Sequence, residues 1–239
     1  MYSLSQKLVA EFLGTFALIF LLGGVACADQ YLRSSSQTAS PTISLFGIAV
    51  AYGLGVAMLI SSLSHISGGH FNPAVTVAFW ATRKLGTGVS LCYWAVQILG
   101  GVTASYLLRA TLPDSAWAPV ALGAPALASD VTRVPGMVLE ATLTFVVVFV
   151  FFAAMVDTES LARNTGGIAV GFAVMAAVLL GGPFTGAAMN PVRAFAPAVA
   201  ARQWTNQGIY WIGPLFGGLI AGWLYDSAFL REDRPRPSV

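Results

Sequence analysis

Two asparagines stand directly before prolines, Asn72 in SGGHFNPAVT (Ser67 to Thr76) and Asn190 in MNPVRAFAPA (Met189 to Ala198). Asn caps free backbone N–H groups and Pro fits a first helical turn, so each pair predicts a helix start. The approach to each pair is glycine-rich and apolar, and neither segment is long enough to cross a bilayer. Each reads as an extended run that dips into the membrane and becomes a half-helix. Lipid cannot satisfy the carbonyls of such backbone, which survives only when buried in protein or lining a watery path. The carbonyls of Gly68, Gly69, His70 and Phe71, and of Gly186, Ala187, Ala188 and Met189, are the candidates for that lining. Half-helices entering from opposite faces aim the positive ends of their dipoles at one point. Asn72 and Asn190 are expected to meet there, offering amide N–H groups to a water or hydroxyl oxygen.

Arg193 follows Asn190 by three positions in an otherwise apolar stretch. A permanent charge there is costly unless it faces water or a partner, so it reads as functional, with a salt bridge to Glu140 or Asp157 as the structural alternative. Glu11 and Glu140 are carboxylates at matching places in apolar runs and therefore functional candidates, able to relay protons. His65 and His70 flank the first Asn-Pro pair, where they are either protonation-sensitive gates or ordinary hydrogen-bonded histidines. Ser67-Gly-Gly-His lacks the strand-to-helix context of a nucleophile elbow, and no metal cluster or phosphate loop is present in the sequence. Cys27 and Cys92 are too few and too isolated for a disulfide framework or a metal site. No enzyme, cofactor or metal is expected.

The elements that must position these residues are membrane helices. Of the 239 residues, 56% are hydrophobic and 9% charged, against about 25% charged in soluble domains. Six stretches approach the roughly 20 apolar residues that a bilayer requires, at roughly 8–28, 41–63, 86–109, 136–156, 165–182 and 208–228. The first is too long and lacks the small-residue cleavage site of a signal peptide, and reads as a retained helix. The two halves repeat in order: EFLGTF at Glu11 and EATLTF at Glu140, GIAVAY at Gly47 and GIAVGF at Gly167, then Tyr-Trp followed by Gly-Gly from Tyr93 and from Tyr210. Three helices per half invert the second copy. The expected fold is all-α and polytopic, with six transmembrane helices, two re-entrant half-helices and an inverted internal repeat. Its parts are a first repeat over 5–109, an external linker over 110–135, a second repeat over 136–228 and a cytoplasmic tail over 229–239. Gly213, Gly217, Gly218 and Gly222 supply small-residue packing on the sixth helix. With both termini inside, Lys7, Arg83, Lys84, Arg163, Arg231, Arg234 and Arg236 outnumber the outer Arg33, Arg109, Arg133 and Arg202. The scattered basic residues form no nucleic-acid stripe.

Over roughly residues 5 to 228 the chain resembles the aquaporin, or major intrinsic protein, family, on SGGHFNPAVT and MNPVRAFAPA. The resemblance implies a passive pore in a homotetramer, whose partners are lipid, water and small neutral solutes. It implies a proton barrier made by half-helix dipoles and an arginine, the device of aquaporin-type pores. It places a selectivity filter on Tyr52, Val178, Ala187 and Arg193, and a loop-supporting role on Glu11 and Glu140. Two departures stand out: Val192 replaces the second motif's alanine, and Val178 replaces the histidine usual in water-selective members. Ala194, where glycerol facilitators carry Asp, and the Tyr210-Trp211 pair point back toward water channels. The mixture resembles bacterial relatives of plant nodulin-like intrinsic proteins, implying water, glycerol and neutral metalloid acids such as arsenous acid in a bacterial inner membrane. A strict water channel, a proton-coupled transporter using Glu11 and Glu140, and a closed structural membrane protein are the alternatives.

Overall fold

Glycine and Asn-Pro break the apolar runs where the sequence leads one to expect. Gly68 ends a helix in the left-handed region at φ 96°, a conformation that costs glycine little. Asn72 and Asn190 then cap the next starts: each side-chain carbonyl accepts from the backbone N–H two residues on, at 2.8 Å from Ala74 and 3.0 Å from Val192. Pro73 and Pro191 follow at the first helical position.

The structure is a computed structural model describing residues 2–35, 43–162 and 165–230. Expectations that fall on Arg163, Arg231, Arg234, Arg236 and most of the 229–239 tail lie outside the described residues. Its helices are α1 (Leu4–Ser35), α2 (Leu45–Ser67), α3 (Pro73–Ala81), α4 (Thr87–Thr111), α5 (Asp114–Trp117), α6 (Arg133–Phe151), α7 (Gly166–Thr185), α8 (Pro191–Ala201) and α9 (Gln207–Phe229). Among the described residues, α1, α2, α4, α7 and α6 with its continuation are long and apolar enough to cross a membrane. The sixth long helix, α9, has 23 residues, its apolar run diluted by glycines, Pro214 and Asp226.

Two boundaries differ instructively from the apolar pattern. Helix α1 is 32 residues, roughly 48 Å at 1.5 Å per residue, well beyond the run at 8–28. Its polar end continues because Asp29 pairs with Arg33 one turn on at 2.8 Å and accepts the N–H of Ile43 at 2.7 Å. The stretch expected as one helix over 136–156 is α-helical to Phe151 and then π-helical over Phe152–Val156. That wider turn ends at Asp157, whose carboxylate accepts from Tyr225 of α9 at 2.8 Å.

Packing follows the repeat: α1 lies on α4, α6 on α9, and α2 crosses α7 between the halves. At that crossing a Cβ on Gly53 would stand 2.7 Å from the carbonyl of Gly171, and one on Gly171 would strike the carbonyl of Gly53. Only glycine lets these backbones approach so closely. Each half-helix packs on the opposite repeat, α3 on α9 and α8 on α4. The two halves are thereby interlocked around the Asn-Pro pairs.

Candidate functional site

The segments before the half-helices are not extended as the sequence suggested. Gly68, Gly69 and Phe71 have φ of 96°, 69° and 47°, and the matching Gly186, Ala187 and Met189 have 80°, 45° and 52°. Non-glycine residues held there cost about 1–3 kcal/mol each. The cause is a buried carboxylate behind each loop, toward which the left-handed turns swing the N–H groups.

Glu11 accepts from Ser67 Oγ at 2.7 Å and His70 N at 2.9 Å through Oε1, and from Phe71 N and Gln97 Nε2, both at 2.8 Å, through Oε2. Glu140 repeats the pattern, accepting from Thr185 Oγ1 at 2.7 Å and Ala188 N at 2.9 Å through Oε1, and from Met189 N at 2.8 Å through Oε2. Both glutamates are fully buried. Charge-assisted bonds to several N–H donors suit a fixed anion better than a shuttling proton. Tyr93 and Tyr210 extend the symmetry, donating to the carbonyls of Ser67 at 2.7 Å and Thr185 at 2.9 Å.

The asparagines cross-link the loops. Asn72 Nδ2 donates to Met189 O and Asn190 Nδ2 to Phe71 O, each at 2.9 Å. Each amide nitrogen carries two hydrogens, so one per asparagine remains for a permeant. A narrow cavity of about 60 Å³ runs past this point, bordered by His70, Phe71, Ala187, Ala188 and Met189 as well as both asparagines. That volume exceeds the roughly 10–15 Å³ that a single water needs, so the cavity has room for a short file of water. A wider vestibule of about 470 Å³ lies on the linker side and takes in Gly186. Gly68 and Gly69, expected among the lining carbonyls, border neither space: they form the turn under Ser64 and His70.

Arg193 and Tyr52 border both spaces, Ala187 borders the cavity and Val178 the vestibule. All four are buried. The structure thus brings them together where the cavity and the vestibule adjoin. Arg193 Nη2 donates to the Tyr52 hydroxyl at 2.9 Å, and its Cζ sits 5.5 Å from the ring centroid, within cation–π range. Nη1 donates to Gly123 O at 2.6 Å, while Nε has no protein partner among the described residues. Among the described residues neither Glu140 nor Asp157 pairs with it; the ion pairs there are Arg33–Asp29 and Lys84–Asp226.

Gly123 is a site residue that sequence reasoning missed. Its carbonyl reaches Arg193 because the external linker folds back over the pore: Ala121, Leu122 and Gly123 take φ of 46°, 58° and 78° in succession, and Leu122 is buried. A main-chain carbonyl leaves no side-chain signal, so the composition of 110–135 gave no hint of it. Thr76 and Gln97 were also passed over, although both contact the motif loop. His65 lies away from the site, its ring against Tyr2.

Comparison with known proteins agrees with this architecture. The family model described as major intrinsic protein matches residues 1–225. The maize protein named Aquaporin TIP4-4 is 38% identical over 232 residues, covering 97% of this chain and 90% of its own. Aquaporin TIP2-1 of Arabidopsis thaliana is 34% identical over 230 residues, covering 96% and 89%. Among solved structures, the aquaglyceroporin from Plasmodium falciparum superposes with a TM-score of 0.74 over 95% of this chain and 97% of that one. At 21% identity that likeness bears on the fold alone.

Proposed function

The chain belongs to the major intrinsic protein family, the aquaporins, and from that premise we propose that it is a passive pore for water and small uncharged solutes, glycerol and neutral metalloid acids included. One observation carries the wider solute range. The ring at Arg193 is completed by Val178, Ala187 and the face of Tyr52, with Arg193 Nη2 and Nη1 already bonded to Tyr52 and Gly123. A carbon-bearing or metalloid hydroxide has faces that need no hydrogen-bond partner, which the apolar walls accept, while the remaining guanidinium N–H groups can donate to its hydroxyl oxygens.

Cation exclusion is supported by the half-helix N-termini of α3 and α8 meeting at the cross-linked asparagines, and by the buried guanidinium. The lysine and arginine excess supports both termini in the cytoplasm, and the nodulin-like resemblance supports a bacterial inner membrane. Assembly as a homotetramer with one pore per subunit is the family's expectation. Exposed apolar side chains along the long helices, such as Leu54, Phe172 and Phe216, support lipid or a neighbouring copy as their cover. The glutamates support a scaffold in place of proton coupling, Glu11 accepting from four protein donors and Glu140 from three.

Stopped-flow light scattering on proteoliposomes tests the reading, with water, glycerol and arsenous acid presented to wild type and Val178→His. Wild type is expected to pass all three, and the histidine variant to keep water while losing most solute flux. Water flux alone from wild type would make it a strict water channel and overturn the solute assignment.

A further inference from the structure

A buried polar chain runs from Glu11 to the pore wall, and it exists in one half only. Gln97 Nε2 donates to Glu11 Oε2 at 2.8 Å and to Thr76 Oγ1 at 3.1 Å. Thr76 Oγ1 stands 3.1 Å from both Asn72 O and His70 Nδ1. Glu11, Thr76 and Gln97 are wholly buried, and His70 borders the 60 Å³ cavity. In the second repeat the positions matching His70, Thr76 and Gln97 are Ala188, Ala194 and Pro214. Glu140 holds its loop without them. The chain is therefore more than the fold needs.

Counting protons at Thr76 Oγ1 gives the state of His70. Gln97 must turn its nitrogen toward Glu11, because the flipped amide would set a carbonyl oxygen against a carboxylate. This orientation leaves Gln97 Oε1 buried without a partner among the described residues, a real cost. The two hydrogens on Nε2 then serve Glu11 and Thr76. The threonine hydroxyl has a single proton of its own. Sent to His70 Nδ1, it would leave Oγ1 and Asn72 O facing each other at 3.1 Å with nothing between them. Sent to Asn72 O, it obliges His70 Nδ1 to be the donor, and every contact at Oγ1 becomes a hydrogen bond.

We propose that Gln97 and Thr76 are positioning residues that hold His70 as its Nδ1–H tautomer, so that Nε2 faces the pore as a bare acceptor. The one side-chain hydrogen bond of His70 among the described residues is at Nδ1, and the residue borders the cavity. The asparagines offer hydrogens to a passing oxygen, whereas His70 takes one from it. The file thus meets opposite polarity on the two sides of Phe71 and Asn72. The hydrogen bond made at one ring nitrogen decides which nitrogen of a histidine carries the proton, and so what the other can do. The functional half of this inference rests on the pore reading above; the tautomer itself does not.

Nitrogen NMR on the full chain in lipid nanodiscs, labelled at histidine, tests it. The protein has two histidines, and His65→Gln assigns the signals. Wild-type His70 is expected to show its proton on Nδ1 and a bare Nε2. Thr76→Val should move the proton to Nε2 or mix the tautomers, and Thr76→Ser should restore the wild-type pattern. A proton on Nε2 in wild type, or an unchanged pattern in a folded Thr76→Val, overturns the proposal. Water flux is measured on the same preparation: a correct tautomer without flux would defeat the pore reading and leave the assignment of His70 standing.

Discussion

The hydroxyl of Tyr52 stands between two main-chain-anchored groups: it accepts from Arg193 Nη2 at 2.9 Å and directs its own proton to Leu22 O at 3.3 Å. Arg193 is therefore held from two sides, by α2 and by the linker carbonyl of Gly123. Tyr52→Phe keeps the ring face and removes the acceptor, leaving a guanidinium N–H unpaired in an apolar ring. A hydrogen bond to a charged group contributes about 1.5–3 kcal/mol, and the freed guanidinium is expected to swing into the lumen. Water permeability should fall about fivefold, which corresponds to about 1 kcal/mol at the narrowest point. Stopped-flow shrinkage of proteoliposomes with matched protein content measures this, and an unchanged rate would show that the hydroxyl has no part in setting the filter.

Glu11 accepts four hydrogen bonds from Ser67, His70, Phe71 and Gln97, and no oxygen is free for a proton in transit. Glu11→Gln replaces one acceptor with an NH₂ group pointed at donors. The loss should reach about 3 kcal/mol or more, since it removes charge-assisted bonds and sets donor against donor. Thermal unfolding in detergent should show a large drop in midpoint. An imposed pH gradient should drive no solute accumulation in wild type. Saturable, gradient-driven uptake that vanishes in Glu11→Gln would instead make the protein a transporter.

What the sequence revealed and what it hid differ in kind. Glu11 and Glu140, Tyr93 and Tyr210, and the two Asn-Pro pairs are legible because a repeat preserves side-chain identity at matched positions. Capping chemistry then fixes where α3 and α8 begin. The backbone path before each cap was misread as extended, because Phe71, Ala187 and Met189 are not residues that advertise a positive φ. Only the buried carboxylate behind them imposes it. The Gly123 carbonyl was invisible for a similar reason, as was the end of α1, which a polar Asp29–Arg33 pair carries past the apolar run. The π-helical turn at Phe152–Val156 likewise lies inside a stretch whose apolar pattern is unbroken.

Val192, the departure in the second motif, is accommodated by Gly101. A Cβ on Gly101 would lie 2.5 Å from Val192 Cγ1 and 3.0 Å from Ala196 Cβ, whereas the matching Gly218 faces Ala74 in the first half. The valine therefore fills space that the glycine leaves, and it is wholly buried with Ile19 and Ala104. Val192→Ala deletes two methyl groups from a packed site and should cost about 2 kcal/mol in stability. Asn190 and Arg193 keep their own anchors, so water permeability should stay within about twofold, well under 1 kcal/mol at the barrier. Thermal unfolding and stopped-flow measured together separate the two effects; a large loss of flux in a stable variant would mean that Val192 tunes the pore itself.

The linker turn at Gly123 depends on a residue that tolerates a positive φ. Its φ of 78° disfavours any other residue and its contacts are tight: a Cβ would meet Ala26 Cβ at 3.0 Å and Gly23 Cα at 3.2 Å, so those neighbours would have to give. Gly123→Ala therefore strains the backbone by about 1 kcal/mol and pushes the turn away from α1. The carbonyl moves with it, and Arg193 Nη1 loses its acceptor. The Gly123 carbonyl takes no part in the asparagine cross-links or in the hydrogen bonds to Glu11 and Glu140, so those should survive. The expected result is a folded protein with water permeability reduced about fivefold, about 1 kcal/mol at the barrier, and a larger drop when combined with Tyr52→Phe. Because Tyr52 and Gly123 grip the same guanidinium, their effects should couple, unlike those of distant sites. Strict additivity of the two losses would show that Arg193 is held by something other than this pair.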